Sequence, residues 1–213
     1  MKKALLATVM AFLVSSVANA DELRLEATAT AKLGDNTLTV EEQIRHDLSI
    51  SEDMVTKAAP YEHTVFAIGR KLTDNVDLQL RVRNTNMNGT SENRVSLDMN
   101  AGVSLPFGIG LENRLRLQLD ETADITAVTS GDVRLREQVA LTRAVKLPFA
   151  ELNLSIADEV HLGEAGVKEN RVIAAASTQV TDNITARAEY FRQMNNEGLD
   201  DANVVTVSAA IRF

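Results

Sequence analysis

Alternation with a period of two recurs along almost the whole chain, and it restricts the fold more than any other feature. In 109–120, Ile109, Leu111, Leu115, Leu117 and Leu119 share one face, while Glu112, Arg114, Arg116, Gln118 and Asp120 share the other. A strand sends successive side chains to opposite faces, so this one is apolar on one side and ionised on the other. The same reading applies to 23–33, 37–49, 61–72, 76–86, 93–105, 132–147, 151–162, 170–180, 184–194 and 203–213. Most of these segments have the roughly ten residues that a tilted membrane-crossing strand needs. A soluble sandwich would hold a dry core and turn its ionised groups to water. Arg returns here on the polar face of strand after strand. That fits an antiparallel transmembrane β-barrel with lipid outside and a wet or salt-bridged lumen.

The start of the chain agrees. Lys2 and Lys3 form a basic beginning, Ala4–Val14 an apolar run, and Ala18-Asn19-Ala20 a small-residue cleavage motif before Asp21. Residues 1–20 therefore read as a cleaved signal peptide, and 21–213 as the barrel. The apolar run is too short to span a bilayer easily. Setting Lys2 and Lys3 aside leaves 20 basic residues against 30 acidic ones, a net charge near −10. That balance argues against nucleic acid as a partner. There is no Cys, so no disulfide holds the fold. No later apolar run is long enough for a helical span, so a membrane protein of this sequence must be a closed barrel.

Connections alternate between tight and long. Gly34-Asp35-Asn36, Thr73-Asp74-Asn75, Pro106-Phe107-Gly108, Pro148-Phe149-Ala150 and Thr181-Asp182-Asn183 are turn-forming. Stretches 50–60, 87–92, 121–131, 163–169 and 195–202 are longer, polar and mostly acidic. Short turns in the periplasm and long loops outside the cell are the outer-membrane pattern. In that orientation segment 23–33 would have to start outside the cell. An odd strand number also departs from the even count of single-chain bacterial barrels. The expectation is therefore ten strands over 37–213 with 23–33 folded inside, and twelve as the alternative.

The last strand aligns Val205, Val207, Ala209, Ile211 and Phe213 on one face and ends on an aromatic. This resembles the C-terminal insertion signal of bacterial outer-membrane barrels, with Phe213 as its terminal residue. The order of segments also resembles an uncharacterised barrel family, the domain of unknown function 2490. The resemblance rests on Leu38-Thr39-Val40-Glu41-Glu42-Gln43-Ile44-Arg45, on Gly69-Arg70-Lys71-Leu72-Thr73-Asp74-Asn75-Val76, and on Glu92-Asn93-Arg94-Val95-Ser96-Leu97-Asp98. It continues in Glu112-Asn113-Arg114-Leu115-Arg116-Leu117 and Ala188-Glu189-Tyr190-Phe191-Arg192. It implies an outer-membrane barrel and brings no settled activity. This chain is poorer in aromatics than that family.

By parity Arg81, Arg83, Arg94, Arg114, Arg116, Arg134 and Arg136 all face the lumen, on four consecutive strands. Asp77, Asp98 and Glu112 share that face as acidic partners, together with Gln79, Asn100, Gln118 and Gln138. Two readings follow. Arg and carboxylate interlock and fill a narrow barrel, since small barrels hold only side chains and buried charges need partners. Alternatively a narrow aqueous path survives and the basic wall favours anions.

Other features carry less. Asn113, Glu137, Arg143 and Asp158 interrupt the apolar face, which points to a register-shifting bulge, a rim position or a protein interface. His161 shares a face with Glu159 and Ser155, but six residues of strand separate it from that serine by about 20 Å, too far for a catalytic pair. Asp200-Asp201 with Glu197, or Glu121 with Asp124, matches no calcium-loop spacing. No catalytic residue, metal or cofactor is expected.

Aromatic girdles are thin: there is no Trp and only two Tyr. Phe107, Phe149 and Phe213 are the candidates at the turn rim, and Tyr61, with Tyr190 or Phe191, at the outer rim. A soluble periplasmic ligand-binding barrel is therefore the alternative, and a lipid-modifying enzyme a minor one. The leading expectation is a structural barrel or narrow, anion-preferring channel in the outer membrane of a Gram-negative bacterium. Its partners would be membrane lipid, lipopolysaccharide and the barrel-insertion machinery. Oligomeric state is left open.

Overall fold

The computed structural model describes residues 20–48, 61–87, 90–124, 127–128, 132–148, 150–164, 166–196 and 201–213. The expected signal peptide lies outside them apart from Ala20, as do Phe149, Glu197 and Asp200. The described chain is almost all strand. In order these are β1 (Glu22–Leu33), β2 (Asn36–Asp47), β3 (Tyr61–Thr73), β4 (Val76–Met87), β5 (Thr90–Leu105) and β6 (Ile109–Asp124). After a short β7 (Ala127–Val128) come β8 (Asp132–Leu147), β9 (Ala150–Gly163), β10 (Gly166–Thr181), β11 (Ile184–Asn195) and β12 (Ala202–Arg212). Each long strand pairs antiparallel with its predecessor, β7 pairing only with the end of β6. β1 then pairs with β12 and closes an eleven-stranded barrel.

The closure corrects the expectation for 23–33. The segment does not lie inside the barrel; it is a wall strand, antiparallel to β2 from Glu22↔Asp47 to Leu33↔Asn36 and parallel to β12 from Glu22↔Val204 to Thr30↔Arg212. The parallel seam is a matter of parity. Every connection reverses the chain, so the eleventh strand runs the same way as the first. Residue 21 consequently sits at the long-loop end, where the Asp21 amide donates to the Asn203 carbonyl at 2.7 Å and the Asn203 amide to Asp21 Oδ2 at 2.7 Å. Unpaired, an interior strand would strand a row of backbone donors and acceptors; in the wall they are bonded.

The four expected tight turns that are fully described, at 34–36, 73–75, 106–108 and 181–183, lie at one end. Gly34 adopts φ 64°, a left-handed conformation that suits glycine. Pro106–Gly108 forms one 3₁₀ turn in which Phe107 (φ 65°) and Gly108 (φ 70°) are both left-handed. The Thr181 hydroxyl accepts the amides of Asn183 and Ile184 at 3.3 and 3.1 Å, a local bond that fixes the turn.

Alternation sorts the two faces. Leu80, Leu97, Leu117, Leu141 and Ile156 point outward and are exposed, forming an apolar belt. The interior is two-sided. Charged groups line every part of it, but on the far wall they are interleaved with buried apolar ones, Val65 and Ala67 on β3 and Ile173, Phe191 and Val204 on β10–β12.

Asn113, Glu137, Arg143 and Asp158 stand on the outward face, and no bulge explains them. The β6–β8 and β8–β9 registers are unbroken through these positions. Shifts occur only near strand ends, at Lys71/Thr73, Val167/Glu169 and Gln179/Thr181. Arg143, opposite Ile109, is at the turn rim. Asn113 donates to Glu137 at 3.2 Å, one polar contact inside the belt.

Candidate functional site: the charged lumen

Parity put seven arginines in the lumen, and the strands bring them there with partners. Arg116 on β6 makes a two-point contact with Asp98 on β5, Nε–Oδ1 at 2.7 Å and Nη2–Oδ2 at 2.6 Å. Asp98 is 1% exposed, so the bond is shielded from water. The two residues are direct register partners, which lets two parallel bonds form. Arg81 on β4 reaches past β3 to Glu41 on β2 at 2.9 Å. It can do so because β3 offers only Val65 and Ala67 between them.

The densest cluster surrounds Glu159 on β9. Its oxygens accept from Arg114 at 2.6 Å, Arg136 at 2.6 Å and Arg171 at 3.3 Å, and lie 2.8 Å from His161 Nε2. Four strands, β6, β8, β9 and β10, thus meet at one buried carboxylate. Such a group is stable in the interior only because cations surround it. His161 Nδ1 faces Glu169 at 3.6 Å. Both ring nitrogens are turned to carboxylates, so the imidazole is held inside the network by polar contacts on both sides and is not free to act as a base.

Arg94 pairs with Glu92 at 2.8 Å, and Arg83 lies 4.0 Å from the same carboxylate. Arg134 is a half-buried lumen residue beside Gln118 in register. Among the described residues, two of the three expected acidic partners pair with no arginine: Asp77 accepts from Asn100 at 2.8 Å, and Glu112 accepts weakly from Thr142 at 3.4 Å. They sit one or more register steps nearer the turns than the arginines.

Sequence reasoning overlooked half the network. Glu41, Glu22, Arg24, Arg45 and Arg171 obey the same parity rule, but attention to four consecutive strands left out the far wall. Two aromatics were misplaced. Tyr61 points inward, under the Arg45 guanidinium at 4.3 Å and edge-on to His63. Phe191 is also inward and buried, with Arg24 and Arg171 over its ring at 4.9 and 5.0 Å. Only Tyr190 faces out, its hydroxyl on Asn203 at 2.7 Å. Phe107 and Phe213 stand fully out at the turn rim.

A cavity of about 1220 Å³ occupies the lumen. Gly34, Asp35, Asp74 and Asn75 line its mouth at the turn end, and Arg24, Arg45, Arg83, Arg136 and Arg171 its far end. The outermost lumen residues, Glu22, Tyr61, Thr85, Gln118, His161 and Val204, do not line it. It is a vestibule that opens at the turns and stops at the salt-bridged layer.

The family model for a protein of unknown function, DUF2490, matches residues 25–203. The chain belongs to the DUF2490 family. This DUF2490 member is thus a barrel whose lumen holds a vestibule at the turn end and a layer of ion pairs beyond it. No curated protein matches the chain. A similar solved structure is the beta domain of the Bordetella autotransporter BrkA, 12% identical, covering 80% of this chain and 78% of that one with a TM-score of 0.46. Neither comparison carries an activity to this DUF2490 protein. Among the described residues no group of three or more His, Cys, Asp or Glu is placed to hold a metal ion.

Proposed function

We propose that this protein is an outer-membrane β-barrel whose lumen is a narrow, anion-preferring passage, held shut in its outer half by guanidinium–carboxylate bridges. The observation that carries the reading is the vestibule ending at the layer built around Glu159 and Arg116. The membrane placement draws support from the outward belt of Leu and Ile, a large apolar surface that water would not tolerate. A soluble barrel would need a dry interior, and this one is charged. Lipid and lipopolysaccharide would contact the belt, and Phe213 at the turn rim would address the insertion machinery in the periplasm. The barrel is not an enzyme in this reading.

Reconstitution in planar bilayers tests it. The expected record is quiet, with small, rare steps whose reversal potential under a salt gradient lies on the anion side. Large steady conductance or cation selectivity would overturn the proposal. A structural role is the second reading, favoured by the shielded two-point Arg116–Asp98 contact; it predicts silence even after Glu159→Gln. Heat-modifiable mobility of protein from isolated outer membranes checks the location.

A further inference from the structure

The vestibule is more cationic than the chain around it. Thirteen Lys and Arg line it against eight Asp and Glu, in a protein whose net charge is −8. Its far end is also polarised. Arg24 and Arg45 share Glu22, Arg45 at 3.8 Å, and Arg171 bonds Glu169 as well as Glu159. All three arginines line the cavity, whereas Glu22 and Glu169 lie behind them, toward the long loops. Arg24 and Arg45 thus face the vestibule with their shared counter-charge on its far side, while Arg171 is held between Glu169 behind it and Glu159, which itself lines the cavity. Val65, Ala157, Ile173 and Phe191 add an apolar strip beside them.

From this geometry we propose that the vestibule binds a phosphate ester, taken up through the mouth at the turn end. The inference rests on the lumen reading above and names the chemistry that the lumen receives. Guanidinium forks match pairs of phosphate oxygens, and a second negative charge per group engages more than one fork. The cavity exceeds what inorganic phosphate fills, and the apolar strip would take the organic part. A soluble organophosphate and the headgroup of an anionic phospholipid in the periplasmic leaflet carry the same chemistry.

Titration calorimetry with pyrophosphate as the probe, on folded protein in zwitterionic detergent at low salt, tests the site. Saturable binding is expected, weakened at least tenfold by Arg45→Gln with Arg171→Gln and unchanged by Arg192→Gln, which lies outside the cavity. Arg45→Gln alone, in a less connected position, should weaken it severalfold if the double variant does not fold; unboiled gel mobility monitors folding. Arg45→Lys should retain part of the affinity, since it keeps the charge and loses the fork. Absence of saturable binding, or equal binding by the folded glutamine variants, overturns the proposal. In vesicles, pyrophosphate affinity that drops when phosphatidylglycerol replaces phosphatidylcholine identifies a headgroup ligand; unchanged affinity identifies a soluble one. Binding without conductance would remove the channel reading and leave this site. Conductance without binding would do the reverse.

Discussion

Glu159→Gln is the most informative single substitution. The carboxylate is 1% exposed and faces Arg114 and Arg136 at 2.6 Å and Arg171 at 3.3 Å. Gln keeps the shape and an acceptor oxygen but removes the charge. Each contact of this kind corresponds to about 4 kcal/mol of Coulomb energy at an effective dielectric near 20. Most of that is offset by the cost of taking the ions out of water. Breaking a buried pair from one side costs about 3–5 kcal/mol, because the partner charges stay behind unpaired. Arg171 retains Glu169, and the Arg114 side chain is about one-third exposed, so water softens its loss. The lower end, about 3 kcal/mol, is therefore expected. Urea unfolding of the reconstituted barrel, read by the mobility of unboiled samples, measures it. At a slope of about 1–3 kcal/mol/M the midpoint should fall by about 1–3 M. A midpoint within experimental error of the parent would refute the claim that Glu159 neutralises the three guanidiniums in the folded barrel.

Further expectations follow from the same geometry. Asp98→Ala should destabilise more than the double variant with Arg116→Ala, because the single change leaves a buried guanidinium behind; equal losses in a double-mutant cycle would mean the pair is already screened. Cysteines at Ala27 and Ala209, register partners across the parallel seam in a chain without native Cys, should form a disulfide in the folded barrel. Failure to crosslink would instead put β1 outside the wall. Glu137→Leu or Asp158→Leu should stabilise the membrane-inserted protein by about 1 kcal/mol, since these outward carboxylates lie within the apolar belt. Loss of stability in either leucine variant would show that a protein neighbour contacts them.

The fold was legible because period-two alternation has one solution when both faces are long and unlike. The turn residues Gly34, Thr73, Pro106 and Thr181 fall at one end of the barrel as the spacing requires. The place of 23–33 was harder, because two sound rules conflicted. Even strand numbers predict its exclusion, whereas its own alternation, Leu23 and Leu25 against Arg24 and Glu26, predicts a wall strand. The second rule prevails because backbone pairing is local: once β1 and β2 form a hairpin, one edge of β1 must still find a partner, and β12 is the free edge that remains.

The site was legible as a face and not as a set of bonds. Parity assigns Arg114, Arg136 and Arg171 to the lumen, but their meeting at Glu159 depends on strand stagger. Arg171 is the direct register partner of Glu159, Gln138 occupies the same place on β8, and Arg136 lies two residues along on the same face, toward the long loops. Arg114 on β6 is in turn the register partner of Gln138, which brings it to the same carboxylate. A shift of two residues in any of these pairings would keep every side chain on its face and dissolve the cluster. Position along the axis therefore separates the arginines from the expected acids Asp77 and Glu112, which lie nearer the turns. The same offset leaves guanidinium groups at the end of a vestibule whose mouth mixes Asp35 and Asp74 with Lys32 and Lys71, Lys71 bonding Asp74 at 2.7 Å, so the uncompensated positive charge lies deep in the lumen and not at the rim.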